Sequence, residues 1–286
     1  MSSASEAARR DDRVLLTTRA VAAAILPFLL IAVVLLFGFP RRTGELFAWP
    51  IDPPLSAYLL ASAYVGGIWY FARVVLARRW HTVRHGFPAV VLFAGALLAA
   101  TLLHIDRFSP NLSFSVWLIL YITTPFAVAV LAVVQARRDP GAPDAGEVVI
   151  PRRARFALAI IGGAAFATGL VIFFDPQLAV AIWAWQLTPL TAKVTGAVLS
   201  LTGVVNAALL WDARWSAFRI LFQAQLISLA AIAVSLVLGG ADLKWDRPMT
   251  PLFIGLVAAA VVAYGGFTLW CERESRRTAA HARGHP

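Results

Sequence analysis

Two acid-base pairs, Asp106-Arg107 and Asp246-Arg247, with His104 and Lys244 beside them, are the residues of this 286-residue chain best suited to chemistry. An acid next to a base, occurring twice, can pin loops together as ion pairs or grip a small charged ligand or headgroup, because a charge at the edge of hydrocarbon is costly unless paired. Trp49 and Trp185 form the next matched set. An indole suits a membrane interface, where its body is apolar and its N–H meets water, and a matched pair of rings could equally wall an outward-facing cleft. The third set is polar and lies inside apolar runs: Asn206, Gln223 and Gln225, which can bond helices together or line a path between them.

Other constellations fall short. His81-x-x-x-His85 and His281-x-x-x-His285 have helical spacing, but neither has a cysteine or a third ligand nearby, so no metal is expected. No G-x-G-x-x-G, P-loop, H-E-x-x-H or G-x-S-x-G string occurs, so no cofactor is expected either. His104, Asp106 and Ser109 supply triad residue types without the geometry that defines a triad. No aspartate or glutamate falls at the midplane of an apolar run, which counts against a proton- or sodium-coupled transporter.

The elements that must position these residues follow from composition. The chain is 60% hydrophobic and 14% charged, with mean hydropathy +0.75, whereas soluble domains are about a quarter charged. A soluble enzyme and a disordered protein are thereby excluded, and Cys271, as the only cysteine, excludes a disulfide-stapled domain. Apolar runs lie at roughly 14–38, 55–77, 87–105, 113–135, 155–174, 189–210, 217–239 and 251–271, each near the ~20 residues that cross a bilayer as a helix. The fold expected is therefore an all-α polytopic membrane protein with eight transmembrane helices.

Charge sets the expected orientation. The net +10 falls on five segments of one side: the N-terminal segment 1–13, the loop after the second helix, the linker 137–154, the turn after the sixth helix and the tail 272–286. The other side balances six cations against six acids. By the positive-inside rule, both termini are expected in the cytoplasm. Arginine far outnumbers lysine, which is represented by Lys193 and Lys244 alone, a bias that points to a GC-rich bacterial genome and the cytoplasmic membrane. The arginine clusters are short and membrane-proximal, so their expected partner is the bilayer's anionic headgroups rather than nucleic acid.

The chain also aligns with itself. An offset of 136 matches Phe37 with Phe173, Pro40 with Pro176, Trp49 with Trp185 and Gly67 with Gly203; an offset of 135 matches Arg79-Trp80 and Arg84 with Arg214-Trp215 and Arg219. With four more residues inserted, Asp106-Arg107 lies over Asp246-Arg247. Two tandem, parallel four-helix units are expected, at 14–136 and 155–271, since an even number of spans leaves both copies facing the same way. The outer ends of the even-numbered helices are expected to start at Asp52-Pro53, Ser109-Pro110, Thr188-Pro189 and Thr250-Pro251, each a capping residue before proline at the first helical position.

The function expected from this pattern is a non-enzymatic scaffold, accessory subunit or lipid or small-ligand binder with a site at the outer face, working with a membrane partner or a second copy of the chain. A permease or channel for a small neutral or weakly polar solute, lined by Asn206, Gln223 and Gln225, is the first alternative. An outer-face enzyme acting on a lipid is the second.

Overall fold

The computed structural model describes residues 12–139, 141, 143 and 146–283. Eight long helices dominate it: α1 (Leu16–Gly38), α2 (Pro54–Leu76), α3 (Gly86–Leu103), α4 (Leu112–Ala136), α5 (Arg152–Phe174), α6 (Pro189–Ala207), α7 (Trp215–Leu238) and α8 (Met249–Arg283). All eight are long and apolar enough to span a membrane. Among the described residues there are no strands, only three isolated β-bridges. The bundle has an arginine-rich end, where α1 begins and α8 finishes, and a far end formed by the α1–α2, α3–α4, α5–α6 and α7–α8 loops.

Packing does not follow chain order. α1 lies on α2 and α5 on α6, but α2 then packs against α7 and α6 against α3, with α4 flanking α3 and α8 flanking α7. The halves of the sequence are thus interlocked. More than half of the apolar stretch of α2 and of α6 is buried, against about a fifth for α1, α4, α5, α7 and α8, so α2 and α6 form the centre. Two close approaches need glycine. Gly169 of α5 and Gly196 of α6 face each other so closely that a Cβ on either would sit 2.6 or 2.5 Å from the other's carbonyl oxygen, and a Cβ on Gly66 of α2 would sit 2.7 Å from the Ala224 carbonyl of α7. Small residues allow such backbone contact, which is where packing energy between membrane helices comes from.

The expected helix starts are corrected at three of four places. Thr188-Pro189 behaves as read: Thr188 caps α6 in a reciprocal capping box with Thr191. α2, however, begins one residue later, at Pro54, and the acid serving its first turn is Asp242 from the α7–α8 loop, whose Oδ2 accepts from Leu55 N–H at 3.0 Å. α4 starts at Leu112 under an Asn111 cap. α8 starts at Met249, which puts Thr250 inside the helix, where its hydroxyl bonds the Ala184 and Lys244 carbonyls. At its other end α8 runs on to Arg283, so residues expected to form a separate tail continue the last helix.

Candidate functional site at the arginine-rich end

The tryptophans do not form a belt. Trp49 is 2% exposed and Trp185 fully buried, because the far-end loops fold back over the helix ends and give the rings protein neighbours instead of headgroups. Trp49 packs edge-on to Trp117 at 4.9 Å, while Trp185 meets Trp183 and Phe253 and donates its indole N–H to Ser56 at 2.9 Å. The two rings sit in different hydrophobic clusters and do not share a cleft. Trp80 and Trp215, at the other end, are equally buried. Trp245 alone of the far-end set is exposed.

The far-end charges are dispersed as well. Asp106 and Arg107 pair with each other at 3.1 Å with both side chains 71% exposed, and His104 bonds the Ala100 carbonyl of its own helix. Lys244 and Asp246 are exposed. Arg247 is half-buried and donates to the Trp183 and Val180 carbonyls, fastening the α5–α6 loop.

The backbone also separates the two Asp-Arg pairs. Ser109 N–H donates to the Ala48 carbonyl at 2.9 Å and Lys244 N–H to the Ala184 carbonyl at 2.8 Å, and Asn111 and Arg247 donate to the Phe47 and Trp183 carbonyls. The donors Ser109 and Lys244 lie 135 residues apart and Asn111 and Arg247 136, on carbonyls 136 apart. Asp106 precedes Ser109 whereas Asp246 follows Lys244, so the two Asp-Arg pairs stand differently with respect to these bonds.

Asn206 and Gln225 are hydrogen-bonded to neighbouring helices. Asn206 Nδ2 donates to the Leu158 carbonyl at 2.8 Å and meets the Tyr264 hydroxyl at 2.5 Å, joining α6 to α5 and α8. Gln225 donates to Thr202 at 3.2 Å. Gln223 is half-buried on α7.

The concentrated chemistry lies at the arginine-rich end, in the α2–α3 and α6–α7 turns and the α4–α5 linker. Arg214, 5% exposed, donates Nη1 and Nη2 to Asp139 at 2.8 and 2.7 Å and Nε and Nη2 to Asp212 at 3.0 and 2.7 Å. Arg84 also pairs with Asp139. His85 Nε2 meets Asp212 at 2.8 Å while its ring stacks on Phe218, centroids 4.8 Å apart. Two arginines thus face two aspartates with every partner hydrogen-bonded, the condition under which buried charge is tolerated.

The resulting shifts have identifiable causes. Burial works to raise the Asp139 carboxyl, but bonds from Arg214 and the Gly141 N–H outweigh it and bring the pKa down to about 2. Burial opposes ionisation of Asp212 too, and His85 and Arg214 overcome it, holding that carboxyl far below the ordinary range. For His85 burial wins over Asp212, so its pKa is lowered and the ring is neutral at pH 7.

Beside this cluster runs a second chain of contacts. Asp12 Oδ2 meets His81 Nδ1 at 2.5 Å, His81 Nε2 meets Ser216 Oγ at 3.1 Å, and Ser216 donates its hydroxyl to Glu147 Oε2 at 2.7 Å. Acid, imidazole and hydroxyl stand in the order of a nucleophilic triad. Glu147 accepts the hydroxyl's hydrogen bond, so that the hydroxyl is directed away from His81, and its other oxygen accepts the Ser216 N–H at 2.9 Å, where a developing oxyanion would need a donor. Burial would raise the Asp12 carboxyl; the His81 side chain and backbone N–H reverse this and lower it. His81 and His85 thus serve different acids, and among the described residues no group of three His, Cys, Asp or Glu could hold a metal. The side chains of His281 and His285 lie outside the described residues.

The backbone around this chain is paired twice over. Trp80 N–H donates to the Asp12 carbonyl and Val14 N–H to Arg78; in the second half Trp215 N–H donates to Val148 and Ile150 N–H to Ala213, each partner displaced by the same 135 or 136 residues. His81 and Ser216, which occupy matching places in the two frames, touch each other. Comparison with protein-family models, with characterised proteins and with solved structures returns no match. The reading of the site therefore rests on its geometry.

Proposed function

We propose that this protein is a membrane scaffold or accessory subunit that binds a lipid or small ligand, and that its working end is the arginine-rich one. What carries the reading is the closed interior. Asn206 and Gln225 are spent on Tyr264, Leu158 and Thr202 rather than arrayed along a path, and α5 and α6, like α2 and α7, meet at backbone contact. At the far end Trp49, Trp185 and Arg247 are occupied with packing and loop fastening and Asp106, Arg107, Lys244 and Asp246 lie dispersed in solvent, whereas the arginine-rich end gathers Asp12, His81, Arg84, His85, Asp139, Glu147, Asp212, Arg214 and Ser216 in two connected networks.

The same proposal includes a history and an orientation. The chain is a tandem duplication of a four-helix unit, supported by the paired backbone bonds at offsets of 135 and 136 and by the His81–Ser216 contact between matching positions. Both termini and the arginine-rich end face the cytoplasm of a bacterium, supported by the one-sided excess of arginine.

Solute flux tests the functional reading. Purified protein reconstituted into liposomes is expected to pass glycerol and urea no faster than protein-free vesicles in stopped-flow light scattering. Flux clearly above that control would overturn the scaffold reading in favour of a permease.

A further inference from the structure

One chain of contacts at the arginine-rich end calls for more protons than its groups ordinarily carry. Asp12 meets His81 at 2.5 Å, His81 meets Ser216 at 3.1 Å and Ser216 meets Glu147 at 2.7 Å. Each of these contacts needs one proton between its two heavy atoms. Two ionised carboxylates supply none, a neutral imidazole supplies one and a hydroxyl one, so the chain is a proton short. We propose that it is a binding site for one proton, taken from water, and that the bound proton joins the α2–α3 turn to the first turn of α7. The inference goes beyond the scaffold reading and does not depend on it.

The backbone fixes which groups must donate. Asp12 Oδ1 accepts the His81 N–H at 3.0 Å and Glu147 Oε1 accepts the Ser216 N–H at 2.9 Å, so each carboxylate is pinned with its second oxygen on the side chain of that same residue. The Ser216 hydroxyl donates to Glu147, which leaves its oxygen to accept and makes His81 Nε2 the donor. His81 Nδ1 faces Asp12 Oδ2, whose ionised form is favoured by the bonds from Arg79 Nε and the His81 N–H. Both ring nitrogens must then carry hydrogen, and the third proton belongs to the imidazole.

Charge leads to the same count. The His81 and Asp12 side chains are 3% and 9% exposed, and buried charge is tolerated only when it is paired. With the proton in place, Arg79 and His81 balance Asp12 and Glu147; without it, one negative charge is left over. The other charged groups around the chain have partners of their own. Arg214 and Arg84 hold Asp139, Arg214 and His85 hold Asp212, and Arg219 of α7 holds Glu272. Arg13 and Arg78 line the cleft beside Leu16.

Losing the proton has a local consequence. The remaining ring hydrogen stays on Nδ1, where the acceptor is a carboxylate, and Nε2 is left as a lone pair against an oxygen whose own hydrogen is committed to Glu147. The bond that disappears is His81–Ser216, the one that joins the turn to α7. Proton uptake therefore closes this bridge and rising pH opens it. One hydrogen bond is small beside the stability of the whole bundle, so the change is read at the ring rather than from melting.

Long-range proton–nitrogen correlation spectra of the full-length, 15N-histidine-labelled protein in neutral detergent test the proposal, with His81 assigned by its absence from His81→Gln. At pH 7 both His81 ring nitrogens are expected to be protonated, while His85 has one bare nitrogen. Asp12→Asn should lower the proton affinity of His81 about tenfold, or one pH unit. Ser216→Ala should lower it less, and Arg219→Gln, which removes a charge outside the chain, should not lower it. A bare nitrogen on His81 at pH 7 would overturn the proposal, and so would equal shifts in Asp12→Asn and Arg219→Gln. If Asp12→Asn does not fold, the wild-type spectrum and Ser216→Ala still decide, an unchanged titration in Ser216→Ala counting against the site. None of these outcomes bears on solute flux, so the scaffold reading stands or falls separately.

Discussion

Arg79 and Arg214 stand beside similar backbone bonds, yet their surroundings differ. The Arg79 side chain is 46% exposed and pairs with Asp12, a carboxylate that His81 also engages. Arg214 is buried between two aspartates, one from its own loop and one from the linker. The lesson is that the same backbone bonding tolerates either environment, so the side chains and not the backbone set the charge balance at each loop. One loop remained open to the membrane surface; the other closed into a charge-balanced core that ties the linker to α7.

Breaking the buried member should have the largest effect. Arg214→Ala leaves Asp139 and Asp212 without their main partner and is expected to cost about 3–5 kcal/mol of stability, against less than about 1 kcal/mol for Arg79→Ala at the exposed site. Denaturant titration of the protein in mixed micelles measures both. Similar losses would dissolve the contrast.

Acid should act on the buried loop next. The folded-state pKa values of His85, Asp139 and Asp212 are all lowered, so the stability they confer is complete above their unfolded values and is lost as pH falls. Melting temperature should be flat above pH 7, begin to fall below about 6.5 as His85 is forced to take a proton, and drop further below about pH 4 as the approach to Asp139's value near 2 weakens its pairing. His85→Asn should remove the first step and leave the second. A melting point that rises on acidification would contradict this assignment of states.

The contact between the halves is worth less. Ser216→Ala deletes the hydroxyl between His81 and Glu147 and should cost about 0.5–1.5 kcal/mol, with Glu147→Gln comparable because it keeps an acceptor for the Ser216 N–H. Smallest of all is the far-end pair that first drew notice: Asp106→Ala and Arg107→Ala should each stay within about 0.5 kcal/mol, since both side chains are mostly in solvent.

The sequence made the spans legible because bilayer thickness dictates their length, and the structure places every one within a few residues of its expected limits, α8's extension excepted. That extension was hidden by its composition: Glu272 to Arg277 read as a polar tail, but the same residues support helix through pairs such as Glu274 with Arg277. The buried network was not legible. Asp139 and Arg214 are 75 residues apart and His85 and Asp212 are 127 apart, and no local period links them. In the sequence Asp12, Asp139, Glu147 and Asp212 only reduce a net arginine excess. The available signal was their company, four acids confined to the loops of a face that topology required to be basic. The tryptophans misled for a related reason: hydropathy places a ring near an interface without saying whether a loop will fold over it.

The interlocking of the halves bears on how the molecule is made. α2 finishes against α7, and α3 against α6, so the first four spans leave the ribosome with flanks whose permanent neighbours have not been synthesised. A chain released after α4 would expose two incomplete surfaces to lipid and to quality-control proteases, while two halves expressed as separate polypeptides would have to find each other in the membrane before either could mature.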